Sequence, residues 1–173
     1  IAVMILIKID DRGPIFYIQT RLTKDRKEFK LIKFRSMRTN AEADGVARLA
    51  SKEDSRITRV GKWLRKTRLD ELPQFINVLK GEMSIVGPRP ERPEIAEQYE
   101  KDLPEFGLRL ITKAGITGYA QIYGKYNTEP YDKLQMDLMY ILNQSFWEDI
   151  KLSLMTLSLV LAKDATEGVD AGN

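Results

Sequence analysis

Residues 67–90 read TRLDELPQFINVLKGEMSIVGPRP, and this stretch governs how the rest of the chain is read. Two adjacent carboxylates, Asp70 and Glu71, stand where a helix should begin. Leu72, Phe75, Ile76 and Leu79 follow at i, i+3, i+4 and i+7, one apolar helical stripe, and Gly81 falls at the expected C′ position. Pro73 suits a first helical turn, where no N–H partner is needed. Cations crowd both ends: Arg65, Lys66 and Arg68 precede the pair, and Arg89 follows between Pro88 and Pro90. Carboxylates among guanidinium groups at a helix N-terminus suit a site that handles phosphate together with a hard cation. The ordinary reading of Asp70 is an N-cap accepting backbone N–H bonds. The two readings are compatible, because capping would lower the Asp70 pKa and keep it ionised.

Composition sets the limits of that chemistry. The chain has 173 residues, enough for one domain with a sizeable core, and contains neither cysteine nor histidine. Thiol nucleophiles, disulfides and the usual zinc sites are thereby excluded. Imidazole is excluded as a general base, which leaves carboxylates, lysine, tyrosine or substrate phosphate. A divalent ion held by carboxylate and phosphate oxygens would be Mg2+ or Mn2+. The net charge of +3 conceals an asymmetry: residues 1–68 carry +10 and residues 69–173 carry −7. A basic half suits anionic lipid headgroups or phosphorylated substrates. No nucleic-acid partner is expected, since the cations are scattered and accompany no recognition motif.

Along the chain, the apolar start IAVMILI is far shorter than the roughly 20 residues of a membrane span, and no basic region precedes it as in a signal peptide. A buried strand is its ordinary reading. Residues 15–21 and 28–35 read as two strands joined by a polar turn, Thr23–Lys27. Met37–Ser55 reads as a loop with a short helix. Arg56–Lys66 reads as a helix with Ile57, Val60 and Leu64 at helical spacing. Glu91–Leu103 reads as an acidic helix, with Pro104 ending it or opening the next turn. Gly115–Gly118 reads as a tight turn, lacking the pattern of a phosphate-binding P-loop. Two C-terminal helices follow, the first with Leu134, Leu138, Ile141 and Leu142 in one stripe. The second, Phe146–Ala162, is entered through a Ser145–Glu148 capping box and has a broad apolar face. That face suits either the domain core or a bilayer interface. By spacing alone, Asp137 is an exposed helix-face carboxylate.

RLDELPQFINVLKGEMSIVGPRP closely resembles the signature of bacterial monotopic phosphoglycosyl transferases, the polyprenyl-phosphate hexose-1-phosphate transferases. GPIFYIQTR (13–21), KFRSM (33–37), RITRVGKWLRKTRLDELPQ (56–74), GITGYAQIYGK (115–125) and KLQMDLMYI (133–141) follow in the family's order. The resemblance runs from about Gly13 to Val160, and five ordered blocks are far more specific than one short pattern.

The resemblance implies a mainly helical α+β fold: a compact catalytic domain with a short β-hairpin, a truncated re-entrant membrane helix at the N-terminus and amphipathic interfacial helices. It implies that residues 1–9 end that re-entrant helix and that residues 10–173 form the catalytic domain. The implied activity moves a sugar-1-phosphate from a UDP-sugar, glucose or galactose being favoured, to polyprenyl phosphate, beginning a capsule, exopolysaccharide or glycan. Asp70 is then the nucleophile, and Glu71 serves magnesium coordination or proton handling. Both carboxylates are the metal ligands. Arg65 and Arg89 are phosphate contacts, joined by Lys33, Arg35 and Lys125. Lys125 stands where many relatives have arginine, so its contact would be a point charge rather than a planar fork. Pro88, Pro90 and Asp137 support the site. The expected partners are the UDP-sugar, polyprenyl phosphate and membrane lipids, at the cytoplasmic face of the inner membrane; a homo-oligomer stays open. Two other classes remain: a different magnesium phosphotransferase or nuclease, and a silent membrane-surface or partner-binding module.

Overall fold

The computed structural model describes residues 1–39, 41, 54–124 and 128–161. A helix, α1 (Ala2–Asp10), leads into an antiparallel hairpin of β1 (Phe16–Leu22) and β2 (Glu28–Phe34), in register from Phe16↔Phe34 to Leu22↔Glu28. The connecting turn has no glycine. Asp25 and Arg26 both take left-handed backbone angles instead, φ 57° and 58°, and Arg26 is tied to Glu100 at 2.6 Å. Most of the expected loop between Met37 and Ser55 lies outside the described residues.

The chain resumes with α2 (Arg59–Lys66), whose N-cap Thr58 accepts the Gly61 N–H at 3.0 Å. Next come a short 3-10 turn, Leu69–Glu71, and α3 (Gln74–Leu79). The end of α3 forms a Schellman motif: Glu82 N donates to Asn77 O and Gly81 N donates to Val78 O. Gly81 sits at φ 77°, where a side chain would be strained. Its predicted role as the C′ glycine therefore holds.

The apolar stripe on α3 does not. Gln74 and Asn77 are the buried residues of this helix, whereas Leu72, Phe75, Ile76 and Leu79 are exposed, Leu79 at 88%. The reason lies on the edge of β2 that β1 does not occupy. Asn77 Oδ1 accepts from Ile32 N at 3.1 Å, and its Nδ2 donates to Lys30 O at 2.8 Å and to Glu82 Oε2 at 2.7 Å. The carboxamide thus pairs with the strand as a peptide group would. It satisfies backbone groups that would cost free energy if buried alone.

Residues 115–118 also depart from expectation. Gly115–Thr117 form a strand, β4, parallel to β3 (Ser84–Val86), rather than a tight turn. A Cβ on Gly115 would lie 2.1 Å from Gly87 N, so this pairing requires glycine. Between the two strands run α4 (Pro93–Asp102) and a 3-10 segment opened by Pro104; after β4 come α5 (Tyr119–Tyr123), α6 (Pro130–Asn143) and α7 (Phe146–Leu161). One core cluster joins Phe29, Leu31 and Met83, and another joins Val86, Tyr140 and Leu152. Leu152 is the one buried residue among the described side chains of α7, worth about 2 kcal/mol of docking. Phe146, Trp147, Leu154 and Leu157 on the same helix stay exposed.

The fold is thus mainly helical α+β with small sheets, as expected. The N-terminal residues form a helix rather than a strand, with Ile1, Ile5, Leu6 and Ile9 exposed. Among the described residues no helix is long and apolar enough to cross a membrane.

Candidate active site

A left-handed residue sets the position of the acidic pair. Arg68, at φ 52°, reverses the chain after α2 and costs about 1 kcal/mol for a side-chain-bearing residue. The 3-10 turn that follows lies against β2. There Lys33 Nζ stands 2.8 Å from Glu71 Oε1, and Arg89 Nη2 approaches the same oxygen at 3.4 Å. Asp70 makes no capping bond: the N-cap of α3 is Pro73, and no side-chain cap is formed there or on the 3-10 turn. The ordinary capping reading of Asp70 is therefore set aside.

The environment separates the two carboxylates. Burial pushes Asp70 up to about 6; Lys33 opposes the shift, the charge of Glu71 adds to it, and Arg65 and Arg89 oppose it. Burial acts on Glu71 in the same sense but is outweighed by Lys33 and Arg89, which hold it well below the usual carboxylate range. Lys33 is lowered by burial, with Glu71 opposing. At neutral pH the site therefore holds two ionised carboxylates, one strongly paired and one close to its titration point. A small cleft beside them is lined by Arg21, Lys33, Gln74, Arg89 and Pro90. Lys33 and Arg89 face the acidic pair from this cleft, an arrangement suited to offsetting the charge of a phosphate brought to Asp70.

The structure brings together Asp70, Glu71, Lys33, Arg89 and Pro90, with Pro88 bordering Arg89 in sequence and Arg65 acting on the Asp70 charge. Arg35 is directed elsewhere. It is buried, donates to the backbone carbonyl of Asp11 and lies 3.6 Å from Asp11 Oδ2, so it braces the end of α1. Asp137 is not the exposed carboxylate its spacing suggested. It is 1% exposed and pairs with Arg109, itself 3% exposed, at 2.6 Å. Burial pushes Asp137 up to about 6 against the attraction of Arg109. Lys125 lies outside the described residues.

Sequence reasoning missed Arg109 and Arg21. Arg109 Nη2 donates to Arg89 O at 2.9 Å and Arg21 Nη1 donates to Pro90 O at 3.0 Å. For Arg109 the signal was present: an arginine inside the apolar run FGLRLI, where a charge is kept only if paired; Arg21, which follows Gln19 and Thr20, carried no such signal.

Among the described residues no three acidic side chains converge as a self-sufficient metal site. Two adjacent hard-oxygen donors do match the habit of Mg2+, which takes one or two carboxylates and completes its shell with water and substrate phosphate.

The site is a carboxylate pair ringed by cations on a small α+β domain, and the sequence comparison names the family. The bacterial sugar transferase family matches residues 1–163, and the chain belongs to that family. It is 42% identical over 164 residues to the UDP-N-acetylgalactosamine-undecaprenyl-phosphate N-acetylgalactosaminephosphotransferase of Aeromonas hydrophila, covering 93% of this chain and 38% of that protein. It is 45% identical over 161 residues to the UDP-glucose:undecaprenyl-phosphate glucose-1-phosphate transferase of Escherichia coli K12, covering 90% and 34%. With galactosyl transferase CpsE of Streptococcus agalactiae it shares 43% over 162 residues, covering 87% and 35%. The chain thus spans little more than a third of the length of these relatives. Their names carry three different sugars at nearly equal identity, so overall similarity does not select one.

Proposed function

We propose that this chain is the catalytic part of an enzyme that moves a sugar-1-phosphate from a UDP-sugar to polyprenyl phosphate, releasing UMP. The observation that carries this reading is the Asp70–Glu71 pair set between Lys33, Arg65 and Arg89 in a chain of this family.

Asp70 is the nucleophile. An Asp70 carboxylate oxygen forms a bond to the sugar-bearing phosphorus of the donor. The bridging P–O bond breaks, and its electron pair leaves on UMP. A phosphate oxygen of the lipid then attacks the same phosphorus, and the bond to Asp70 breaks to restore the carboxylate. No net proton is needed in either step, which suits a site without imidazole. Lys33, Arg65 and Arg89 offset the repulsion between carboxylate and diphosphate and stabilise the departing phosphate. Asp70 and Glu71 would hold a magnesium ion, which supplies further neutralisation of the phosphate charge when bound. Glucose and galactose are the sugars the signature resemblance favours, and N-acetylgalactosamine, named for one relative, is tested beside them.

The acceptor is a lipid, and the exposed apolar faces of α1, α3 and α7 support seating at a membrane surface. That surface is the cytoplasmic face of the inner membrane, and the product starts a capsule or exopolysaccharide chain. Intact mass measured after incubation with Mg2+ and a panel of UDP-sugars, without lipid, tests the reading. A sugar-phosphate adduct that is absent in Asp70→Asn supports the two-step route and identifies the donor. Equal turnover in wild type and Asp70→Asn would defeat the nucleophile assignment.

A further inference from the structure

The segment Val86–Glu91 (VGPRPE) belongs to no helix and only begins in a strand, yet each of its six carbonyls accepts a hydrogen bond from a distant part of the chain. Val86 O receives the Tyr140 hydroxyl at 3.1 Å, shared with Asp149, and Gly87 O receives Gln121 Nε2 at 3.3 Å. Pro88 O takes Gly115 N and Glu91 O takes Leu22 N, both at 2.9 Å. Between them Arg89 O takes Arg109 Nη2 at 2.9 Å and Pro90 O takes Arg21 Nη1 at 3.0 Å. Two of the six residues are prolines and have no N–H, so a ladder of the ordinary kind cannot hold this segment. The Gly87 N–H donates to Thr117 O at 2.8 Å, and the carbonyls supply six further anchor points.

The two arginines are themselves locked. Glu91 lies between them, Oε1 3.5 Å from Arg109 Nη1 and Oε2 3.9 Å from Arg21 Nη1. Arg109 also meets Asp137 at 2.6 Å, and its guanidinium lies 4.8 Å from the centre of the Phe106 ring. Arg21 is fastened on its other arm to Gln19 at 2.6 Å. Burying two guanidinium groups is costly unless their donors are used. Here Nη donors of both are used on the backbone on either side of the Arg89–Pro90 bond, the point from which the Arg89 side chain reaches Glu71, while the buried Nε of each has no hydrogen-bond partner.

We propose that Arg109 and Arg21 form a clamp, bridged by Glu91, that positions Arg89 for the phosphate of the donor. Asp137 serves the site through Arg109. The two arginines are positioning residues that need not touch substrate. This deepens the proposed function, since it rests on Arg89 as a phosphate contact, but the clamp can be tested without turnover.

The test uses the full chain with Arg109→Lys, Arg21→Gln, Arg89→Gln and the double variant Arg109→Lys/Arg89→Gln. Lysine keeps a positive charge beside Asp137 but lacks the fork needed to serve Asp137, Glu91 and Arg89 O together. Amide hydrogen exchange at Leu22 and Gly115, whose N–H groups grip the two ends of the segment, reports the clamp directly. UDP affinity by calorimetry reports its consequence. Arg109→Lys should speed exchange at both amides and weaken UDP binding, each by about tenfold, beyond any change in global stability. The double variant should bind UDP no more weakly than Arg89→Gln alone. Folded Arg109→Lys with unchanged exchange at Leu22 and Gly115 would overturn the clamp, as would additive losses in the double variant. Should Arg109→Lys not fold, Arg21→Gln decides by the same measurement. If Arg89→Gln leaves UDP affinity intact, the phosphate role of Arg89 fails, while the exchange rates still decide whether the clamp exists.

Discussion

Lys33 Nζ lies 2.8 Å from Oε1 of Glu71, joining the far end of the hairpin to the turn that carries the acidic pair. The contact holds Glu71 ionised and also draws the neighbouring Asp70 downward. Lys33→Met should therefore raise both carboxyl pKa values and remove a cation from the transferring phosphate. Turnover should fall at least about a hundredfold, and the acid limb of kcat/KM should move to higher pH. Measuring UMP release between pH 5 and 8, as a round range around neutrality, checks this. A methionine variant with the wild-type profile would remove Lys33 from the site.

Asp137 makes a prediction about stability. Its folded-state value is about 6 against an ordinary 3.8, because burial outweighs Arg109. The folded protein then holds this proton more tightly than the unfolded chain does, so the Asp137 contribution to stability falls as pH rises from about 4 to about 6, while Glu71, held low in the fold, contributes with the opposite sign as pH rises through the ordinary carboxylate range. The slope approaches roughly 1.4 kcal/mol per pH unit for one proton. Asp70, raised in the same way, adds a contribution of the same sign. Urea midpoints across this window should vary less in Asp137→Asn than in wild type. Identical pH slopes would show that Asp137 does not titrate there.

The inverted helix α3 can be tested with one inward and one outward substitution. Asn77→Leu, of similar size, leaves Ile32 N and Lys30 O without their partner and should cost at least about 2 kcal/mol by urea unfolding. Leu79→Ser, at a position 88% exposed, should change stability by less than about 0.5 kcal/mol. The opposite ranking would restore the apolar stripe to the core.

Membrane seating predicts a third behaviour for outward apolar residues. Trp147→Ser and Leu154→Ser, both on the exposed face of α7, should leave the unfolding midpoint nearly unchanged. Sedimentation with vesicles of anionic phospholipid should nevertheless drop several-fold in the double variant, in line with lost interfacial apolar area. Undiminished vesicle binding would assign that face to another partner.

Local chemistry made part of this protein legible in its sequence. Alternation predicted the hairpin, Gly81 marked the end of α3 because a C′ residue needs positive φ, and Ser145 marked the restart before α7, where Glu148 N reaches its Oγ at 3.3 Å. Five ordered blocks gave the family, and adjacency alone put Asp70 beside Glu71. Tertiary structure decided what periodicity could not express. Periodicity finds the apolar face of a helix but not which face is turned inward, and on α3 the unpaired edge of β2 rewarded a carboxamide over four hydrophobic side chains. It decided that Gly115–Thr117 pairs as a strand, because its partner is Ser84–Val86, some thirty residues away along the chain. It sent Arg35 to the end of α1 and Lys33 to Glu71, although the two residues lie only two apart in the chain. It also drew Arg21, Arg109 and Asp137 around a proline-interrupted segment, where the two guanidinium groups take the carbonyls of Arg89 and Pro90. Pairings of this kind depend on which backbone groups the fold leaves unsatisfied, and that is known only once the chain has closed on itself.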